Sequence, residues 1–260
     1  MHIEMMATMS NGKDGHGGND VVAAVRWDGD GSIAELALDI QERDLGSLVF
    51  VDKEFFADHD FGVELCREMR RLDVNILWWA TLFVKPKRAL LEEMRLAGCQ
   101  RLMMFLEPDD AVDSLALARE FGFDICIRNV DGTPYACEHT QYTVAEREDI
   151  AKRLPGLHAV QFDLAVAYYK AQRFSEVMLP LGKAMTLRFP MNELCLNLLA
   201  CLSAAKHYPD MAAGLLEQAG HGTPHPVVFR NRGLLKSWLQ SGGDLKGVRL
   251  ELEPEGRFPA

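Results

Sequence analysis

Polar side chains follow the apolar runs in the first half of the chain, where the strands of an α/β fold would end. They are Asp52, Glu54, Thr81, Glu107, Arg128, Asn129 and Asp131. Ligands of parallel α/β folds bind at the carboxyl ends of the strands. Carboxylates, an amide and a guanidinium gathered there predict a pocket for a small polar molecule. The same residue types are also typical of turn caps and ion pairs, and the sequence leaves both interpretations open.

Cysteine and histidine lack the sequence context that a metal site or an activated nucleophile needs. The six cysteines contain no CxxC pair, and stretches such as CLNLLAC (195–201) place them among apolar residues. This pattern indicates buried thiols in a reducing compartment. The one HxxxH spacing is HGTPH (221–225), and the sequence places it in a loop between repeats, not on the helix that a zinc site of this type requires. We therefore predict no metal ligands, no catalytic residues and no resident cofactor.

Composition limits the classes of partner. Hydrophobic residues make up 48% of the 260 residues and charged residues 25%, as in ordinary globular proteins. The formal net charge is −10, which argues against nucleic-acid and anionic membrane surfaces because these need clustered Lys and Arg. Residues 1–20 lack the basic start and apolar core of a signal peptide, and their Gly-rich part predicts a disordered segment. We expect a cytoplasmic protein without a membrane span.

Residues 21–140 alternate apolar runs with amphipathic segments. Five runs predict strands: Val21–Trp27, Ser47–Phe50, Asn75–Leu82, Leu102–Leu106 and Asp124–Val130. The segments between them predict helices at 33–44, 60–72, 86–96 and 109–121. Ser32 and Glu35 form a capping-box pattern at the first helix. Repeated strand–helix units predict a parallel sheet of about five strands, either open or as a partial (β/α) barrel, and periodicity does not choose between these.

Three segments of this region together resemble a known family. They are VFVDKEFF (49–56), VELCREMRRLDVNILWWA (63–80) and LLEEMRLAGCQRLMMFLE (90–107). Their order and spacing resemble the middle of the barrel in radical S-adenosylmethionine enzymes, especially the cobalamin-dependent type. The resemblance implies a barrel fold and makes a nucleoside or methionine-like compound the expected ligand of the strand-end residues.

The chain departs from this family in two places. The defining CxxxCxxC loop, whose three thiolates hold a [4Fe–4S] cluster, is absent, and the corresponding turn Asp28–Gly31 has no cysteine. Phe105 replaces the glycine that precedes the family's glutamate, which implies an altered pocket. We infer a barrel relative that has lost its cluster. No iron–sulfur cluster is expected, and S-adenosylmethionine binding is an alternative only.

The second half of the chain repeats every 34 residues. FDLAVAYYKAQRF (162–174) aligns with LNLLACLSAAKHY (196–208), and Asp163, Asn197 and Asn231 are successive equivalents. This period and pattern resemble the tetratricopeptide repeat (TPR), whose helical hairpins bury their apolar surface by stacking. The repeat predicts a short TPR-like helical stack over 144–242 and a tail over 243–260, with the domain boundary between Tyr135 and Val144.

The concave groove of such a stack would be lined by one face of each first helix. By family position this face comprises Phe162, Val166, Tyr169, Lys170, Leu196, Ala200, Arg230 and Leu234. A mixed aromatic and basic groove suits a peptide or a helix of a partner protein. The alternative is that this face packs on the α/β domain.

Two functions remain open from the sequence. The missing cluster cysteines and the 34-residue repeat favour a non-catalytic accessory or scaffold protein that docks a partner protein through its helices. The acidic and Arg residues at the strand ends favour an enzyme or small-molecule sensor that keeps a ligand pocket, one that fits a compound like S-adenosylmethionine. Neither reading involves nucleic acid or a membrane.

Overall fold

The computed structural model describes residues 2–8, 20–26, 32–42, 47–50, 55–130, 142–220, 226–241 and 250. The chain divides into two compact units. The first, called here the α/β unit, comprises Met1–Ala7 and Val21–Val160. The second, called the helical unit, comprises Thr8–Asp20 and Gln161–Ala260. The chain is therefore α/β followed by all-α, as the sequence predicts.

Six strands form one sheet in the α/β unit. In chain order they are β1 (His2–Thr8), β2 (Asp20–Arg26), β3 (Ser47–Phe50), β4 (Leu77–Leu82), β5 (Cys99–Phe105) and β6 (Asp124–Arg128). Their order across the sheet is the same as their order in the sequence. Each strand from β2 to β6 pairs in parallel with the next. The predicted parallel sheet is confirmed.

A helix connects each parallel strand to the next. These helices are α1 (Ile33–Glu42), α2 (His59–Arg71), α3 (Arg88–Leu96) and α4 (Pro108–Glu120). The predicted capping box begins α1, because the Ser32 amide donates to the Glu35 carboxylate at 2.8 Å and the Glu35 amide donates to Ser32 Oγ at 3.2 Å. Asp58 caps α2 with its side chain alone, accepting from the amides of Asp60 and Phe61.

One face of the sheet packs against all four of these helices. A single core cluster joins Trp78, Leu102 and Ile125 of the strands to buried residues of the helices, such as Leu36 and Leu65. Side chains alternate between the two faces of a strand, so every second residue points away from this core. We call the face pointing away from α1–α4 the distal face.

The strand β1 corrects the predicted disordered segment over 1–20. Residues 2–8 extend the sheet beside β2, because HIEMMAT contains enough apolar and β-compatible residues to pair with a strand edge. The Gly-rich residues 10–19, on which the prediction rested, lie outside the described residues.

A fifth helix, α5 (Val144–Arg153), belongs to the α/β unit, whereas the sequence predicts it as part of the helical domain. Arg119 of α4 pairs with Glu146 at 2.7 Å, and Arg153 Nη1 donates to the Glu120 carbonyl at 2.6 Å. The Tyr142 hydroxyl donates to the Phe123 carbonyl. These contacts tie α5 to α4 and β6, so the division between units falls at Val160, later than the predicted boundary.

Five further helices follow: α6 (His158–Lys170), α7 (Met178–Thr186), α8 (Asn192–Ala205), α9 (Pro209–Ala219) and α10 (Pro226–Ser241). The helix α7 begins at Met178, four residues after the end of the aligned segment 162–174. Three helix ends carry non-Gly residues in the left-handed region, at Gln172, Arg188 and His207. In the predicted tail only Leu250 is described, and it is buried. Among the described residues, no helix combines the length and apolar character that membrane crossing would require.

Candidate functional site

Four of the predicted strand-end residues lie in the described part of the chain. Thr81 is on β4, Arg128 ends β6, Asn129 follows it, and Glu107 immediately precedes α4. Asp52, Glu54 and Asp131 lie outside the described residues. The predicted pocket can therefore be compared with the structure only at Thr81, Glu107, Arg128 and Asn129.

The strand register places Thr81 and Arg128 on the distal face. Thr81 pairs with Met103 of β5, and Phe105 of β5 pairs with Arg128. Because paired residues of a parallel sheet share a face, these four side chains point the same way. An ion pair between Arg101 and Asp124, with Nε to Oδ2 at 2.9 Å, lies on this face too. Thr81 and Arg128 are separated by two strand spacings, about 10 Å across the sheet, and by two residues, about 7 Å, along the strands.

Aromatic and thioether groups separate the polar residues of the distal face. The rings of Phe83 and Phe105 are stacked, with centroids 4.9 Å apart and an interplanar angle of 5°. Met103 lies between Thr81 and Cys126 in the register. Sequence reasoning did not select Phe83 or Met103. The period-2 alternation of LMMFL would have placed Met103 and Phe105 on one face.

Glu107 does not join this face through any described contact. Its side chain is exposed and makes no capping hydrogen bond among the described residues. Its main-chain carbonyl accepts hydrogen bonds from the amides of Asp110 and Ala111. Glu107 thus begins α4 through its backbone alone, and its side chain supplies no described cap hydrogen bond.

Five of the six cysteines are described as core residues. Cys66, Cys99, Cys126, Cys195 and Cys201 are buried and free, which confirms the prediction of buried thiols for these five; Cys137 lies outside the described residues. Burial raises the pKa of the Cys66 and Cys99 thiols and raises those of Cys195 and Cys201 to about 12. A thiol that resists ionisation is a weak nucleophile. In the described ranges, no three His, Cys, Asp or Glu side chains are grouped for a metal ion.

Half of the residues predicted to line the groove of the helical unit are buried. Phe162, Val166, Leu196 and Ala200 are buried, and the Phe162 ring stacks on Phe189 with centroids 4.5 Å apart. Four members keep some exposure: Tyr169, Lys170, Arg230 and Leu234. This corrects the expectation of a continuous partner surface, because the face that sequence alignment selects is used for packing at its apolar positions.

A different surface of the helical unit carries exposed apolar side chains. On α7, Met178 is 51%, Leu179 71% and Met185 38% exposed. Gly182, between them, is also exposed, and a Cβ added to it would meet no described atom within 4 Å. We call Met178, Leu179, Gly182 and Met185 the α7 face. Sequence reasoning missed it, although Met178, Leu179 and Met185 lie four, three and three residues from Gly182, and residues at these spacings lie on the same side of a helix.

A buried amide pair marks the repeat. Asn231 Nδ2 of α10 donates to Asn197 Oδ1 of α8 at 2.7 Å across a separation of 34 residues. Both residues are fully buried. The two residues that the sequence aligns as repeat equivalents therefore meet in the interior of the helical unit. A buried polar pair of this kind is stable only when its hydrogen bond is made.

Comparisons with protein-family models, with curated proteins and with solved structures find no match for this chain. Function must therefore be inferred from the residues of the chain and their arrangement.

Proposed function

We propose that the protein is a non-catalytic accessory or scaffold protein that docks a partner protein through its helical unit. The observation that supports this proposal is the distribution of exposed large apolar side chains among the described residues. Eight lie in the helical unit: Met178, Leu179, Met185, Tyr208, Met211, Phe229, Leu234 and Leu239. Three lie in the α/β unit: Leu38, Val112 and Val130. Concentrated exposed apolar surface marks protein–protein contact sites.

The proposal includes a TPR-like architecture for the helical unit and a partial barrel for the α/β unit. The Asn197–Asn231 hydrogen bond supports the first, because it joins positions 34 residues apart, the TPR period. The sequential strand order and the placement of α1–α4 against one face support the second, since each strand of a (β/α) barrel lies beside its successor. The missing CxxxCxxC motif supports loss of the iron–sulfur cluster.

Affinity purification of the full chain from native extract, with quantitative mass spectrometry, tests the docking function. A variant with Leu179→Glu and Phe229→Glu should lose the partner, because a carboxylate in an apolar interface is desolvated without a pairing group. Val112→Glu is the matched control, since Val112 is equally exposed but lies on α4 of the α/β unit. Recovery of no specific partner, or equal loss in the control, contradicts the proposal.

A second candidate function is a small-molecule sensor or enzyme that binds its ligand on the distal face. The observation that favours it is the stacked pair Phe83–Phe105 beside the register position of Arg128. Such a combination suits a planar ring with an anionic group.

Calorimetry with S-adenosylmethionine, on anaerobically purified protein assayed for iron, sulfide and cobalt, tests this second candidate. Micromolar binding that is abolished by Phe105→Ala and Arg128→Ala supports it. Absence of binding heat removes S-adenosylmethionine as the ligand and leaves the docking function as the account of the chain.

A further inference from the structure

A second helix of the helical unit, α9, can be compared directly with α7. The helix α9 shows the same pattern of exposure as α7, with a central exposed glycine, Gly214, that also has open space around its Cβ position. On α9 the positions beside this glycine are Asp210, Met211, Glu217 and Gln218, all exposed. The two outer faces thus match in geometry and differ in chemistry.

The outer face of α9 is more polar than that of α7. Within α9, Met211 is the one large apolar side chain described as exposed, although the exposed Tyr208 precedes it by three residues and the partly exposed Leu215 follows it by four. Glu217 pairs with Arg232 of α10 at 2.8 Å. On α7 the acidic positions are replaced by Met178 and Met185, and Leu179 replaces Met211. Three exposed large apolar side chains on the nine residues of α7, against one on the eleven residues of α9, favour α7 as the contact site.

Charge restricts what can cover the α7 face. The helix α7 has one charged side chain, Lys183, which is exposed, and it has no acidic residue. Arg188 follows its C-terminal end and is exposed as well. This face is therefore flanked by basic side chains, although the chain as a whole has a net charge of −10. A partner segment that carries carboxylates beside its apolar side chains complements it.

A second copy of the chain fits this face poorly. A symmetric dimer through α7 would use the same patch on both subunits, so Lys183 would lie near its own copy. It would also bring together two chains that each carry a net charge of −10, and such self-repulsion opposes association. Charge therefore favours a different molecule as the occupant.

Shape favours a helix as that occupant. Gly182 has no side chain, and Met178, Leu179 and Met185 stand around it on the same face. Ridges of side chains on one helix pack into grooves on another, and a small residue at the crossing point lets the axes approach closely. Methionine side chains adapt to the surface of a partner because they are unbranched and flexible.

We propose that the α7 face is the docking site for an amphipathic helix of a partner protein, with an apolar stripe flanked by Asp or Glu residues that face Lys183. This assignment rests on the docking function proposed above and names the surface and the partner chemistry. The apolar stripe would cover Met178, Leu179 and Met185, and the carboxylates would lie beside Lys183.

A display library of random peptides, each of about 16 residues or roughly four helical turns, tests the assignment against the full chain. Enriched peptides should share apolar residues at i, i+3 or i+4, and i+7, with Asp or Glu beside them. A fluorescein-labelled consensus peptide then gives affinities by fluorescence anisotropy. Leu179→Glu should weaken binding by about tenfold or more, and Met211→Glu on α9 by less than about twofold.

Two further pairs of variants sharpen the test. Lys183→Glu should weaken binding by roughly fivefold and reverse its dependence on salt. Gly182→Leu should weaken binding, because its side chain would occupy the crossing point, whereas Gly214→Leu should not. All the substituted side chains are exposed, and circular dichroism checks that each variant keeps its helices.

Several outcomes would overturn the assignment. They are a selection that enriches no peptide, a consensus without acidic residues, equal effects of Leu179→Glu and Met211→Glu, or a dimer in sedimentation that Leu179→Glu dissociates. If the partner recovered from native extract is retained by Leu179→Glu and lost by Phe229→Glu, the docking function stands and the α7 assignment falls.

Discussion

The outer helix surfaces of the two units carry different kinds of side chain. In the α/β unit, ion pairs join successive helices: Arg67 and Arg70 of α2 to Glu93 of α3, Arg88 of α3 to Glu120 of α4, and Arg119 of α4 to Glu146 of α5. In the helical unit the corresponding outer positions of α7 are apolar. Each surface ion pair adds little stability, but these pairs place charged side chains over the boundaries between neighbouring helices.

Under the proposed docking function, this difference marks the helical unit as the one that meets a partner. The helices of the α/β unit carry charged side chains that pair with one another. Such a surface is stable in contact with water. The α7 face leaves Met178, Leu179 and Met185 in water, which costs free energy in proportion to their apolar area. A partner that covers these side chains recovers that free energy. Substitutions in each unit test this difference.

The largest effect is expected for Trp78→Ala in the core of the α/β unit. Trp78 is fully buried, its Nε1 donates to the Ala97 carbonyl at 2.8 Å, and its ring packs edge-on against Phe50 with centroids 5.1 Å apart. Removing the ring leaves a cavity and an unsatisfied carbonyl, so the free energy of unfolding should fall by about 3–5 kcal/mol. Urea unfolding followed by far-ultraviolet circular dichroism measures it.

Trp79→Ala is the control for that experiment, since Trp79 is the neighbouring residue on the distal face and is only half-buried. Its loss should cost clearly less than the loss of Trp78. Equal effects would mean that the two faces of β4 are packed alike, and the division into a core face and a distal face would be wrong.

A smaller effect is expected for Asn231→Ala in the helical unit. The substitution removes the hydrogen bond to Asn197 inside a fully buried site and should lower the free energy of unfolding by about 1–3 kcal/mol. A double-mutant cycle with Asn197→Ala measures the coupling, which should be above roughly 0.5 kcal/mol for residues in contact. Additive effects would show that the pair does not act as a unit.

Helix ends provide a third comparison. His207 ends α8 in the left-handed region with φ 62°, a conformation that strains a residue with a Cβ. His207→Gly should therefore raise the free energy of unfolding by about 0.5–1 kcal/mol. The α/β unit uses Gly122 at the end of α4, with φ 75° and a Cβ position 2.9 Å from Ile150 Cγ2. Gly122→Ala should thus destabilise, and thermal melts that show the same sign for both variants would refute this account.

The smallest effect concerns pH and the docking of α5. The Thr143 amide, the Arg119 guanidinium and the Thr143 hydroxyl donate to Glu146 and lower the pKa of its carboxyl from 4.5 to about 2. Because the folded-state pKa is depressed, the stabilisation is fully present above pH 4.5 and is lost as the pH falls towards 2. The melting temperatures of wild type and Glu146→Gln should differ above pH 5 and converge near pH 2. A difference that stays constant across this range would contradict the assignment.

Several parts of the α/β unit could be predicted from the sequence because they depend on local pattern. Apolar runs bounded by turns gave the strands β2 to β6, and Ser32 with Glu35 gave the start of α1. The strand β1 was missed because its pairing with β2 depends on the sheet edge, which lies outside its own segment. The helix α5 was assigned to the wrong unit because its salt bridge to Arg119 and its contact with Glu120 are long-range.

The helical unit shows the limit of repeat alignment. The 34-residue period correctly paired Asn197 with Asn231, since equivalent positions of neighbouring repeats meet. It did not tell which face of each helix remains in water, because that depends on how neighbouring helices pack. Phe162 and Leu196 were predicted to face a partner and are buried, whereas Leu179 was overlooked and is 71% exposed.

Hydrogen–deuterium exchange of the full chain, with and without the partner recovered from native extract, tests the central claim most directly. Docking through the helical unit predicts slower exchange in residues 178–186 of α7, with residues 81–83 and 103–105 at the strand ends unchanged. Slower exchange at the strand ends, with α7 unchanged, would contradict the claim and place the functional site on the distal face of the sheet.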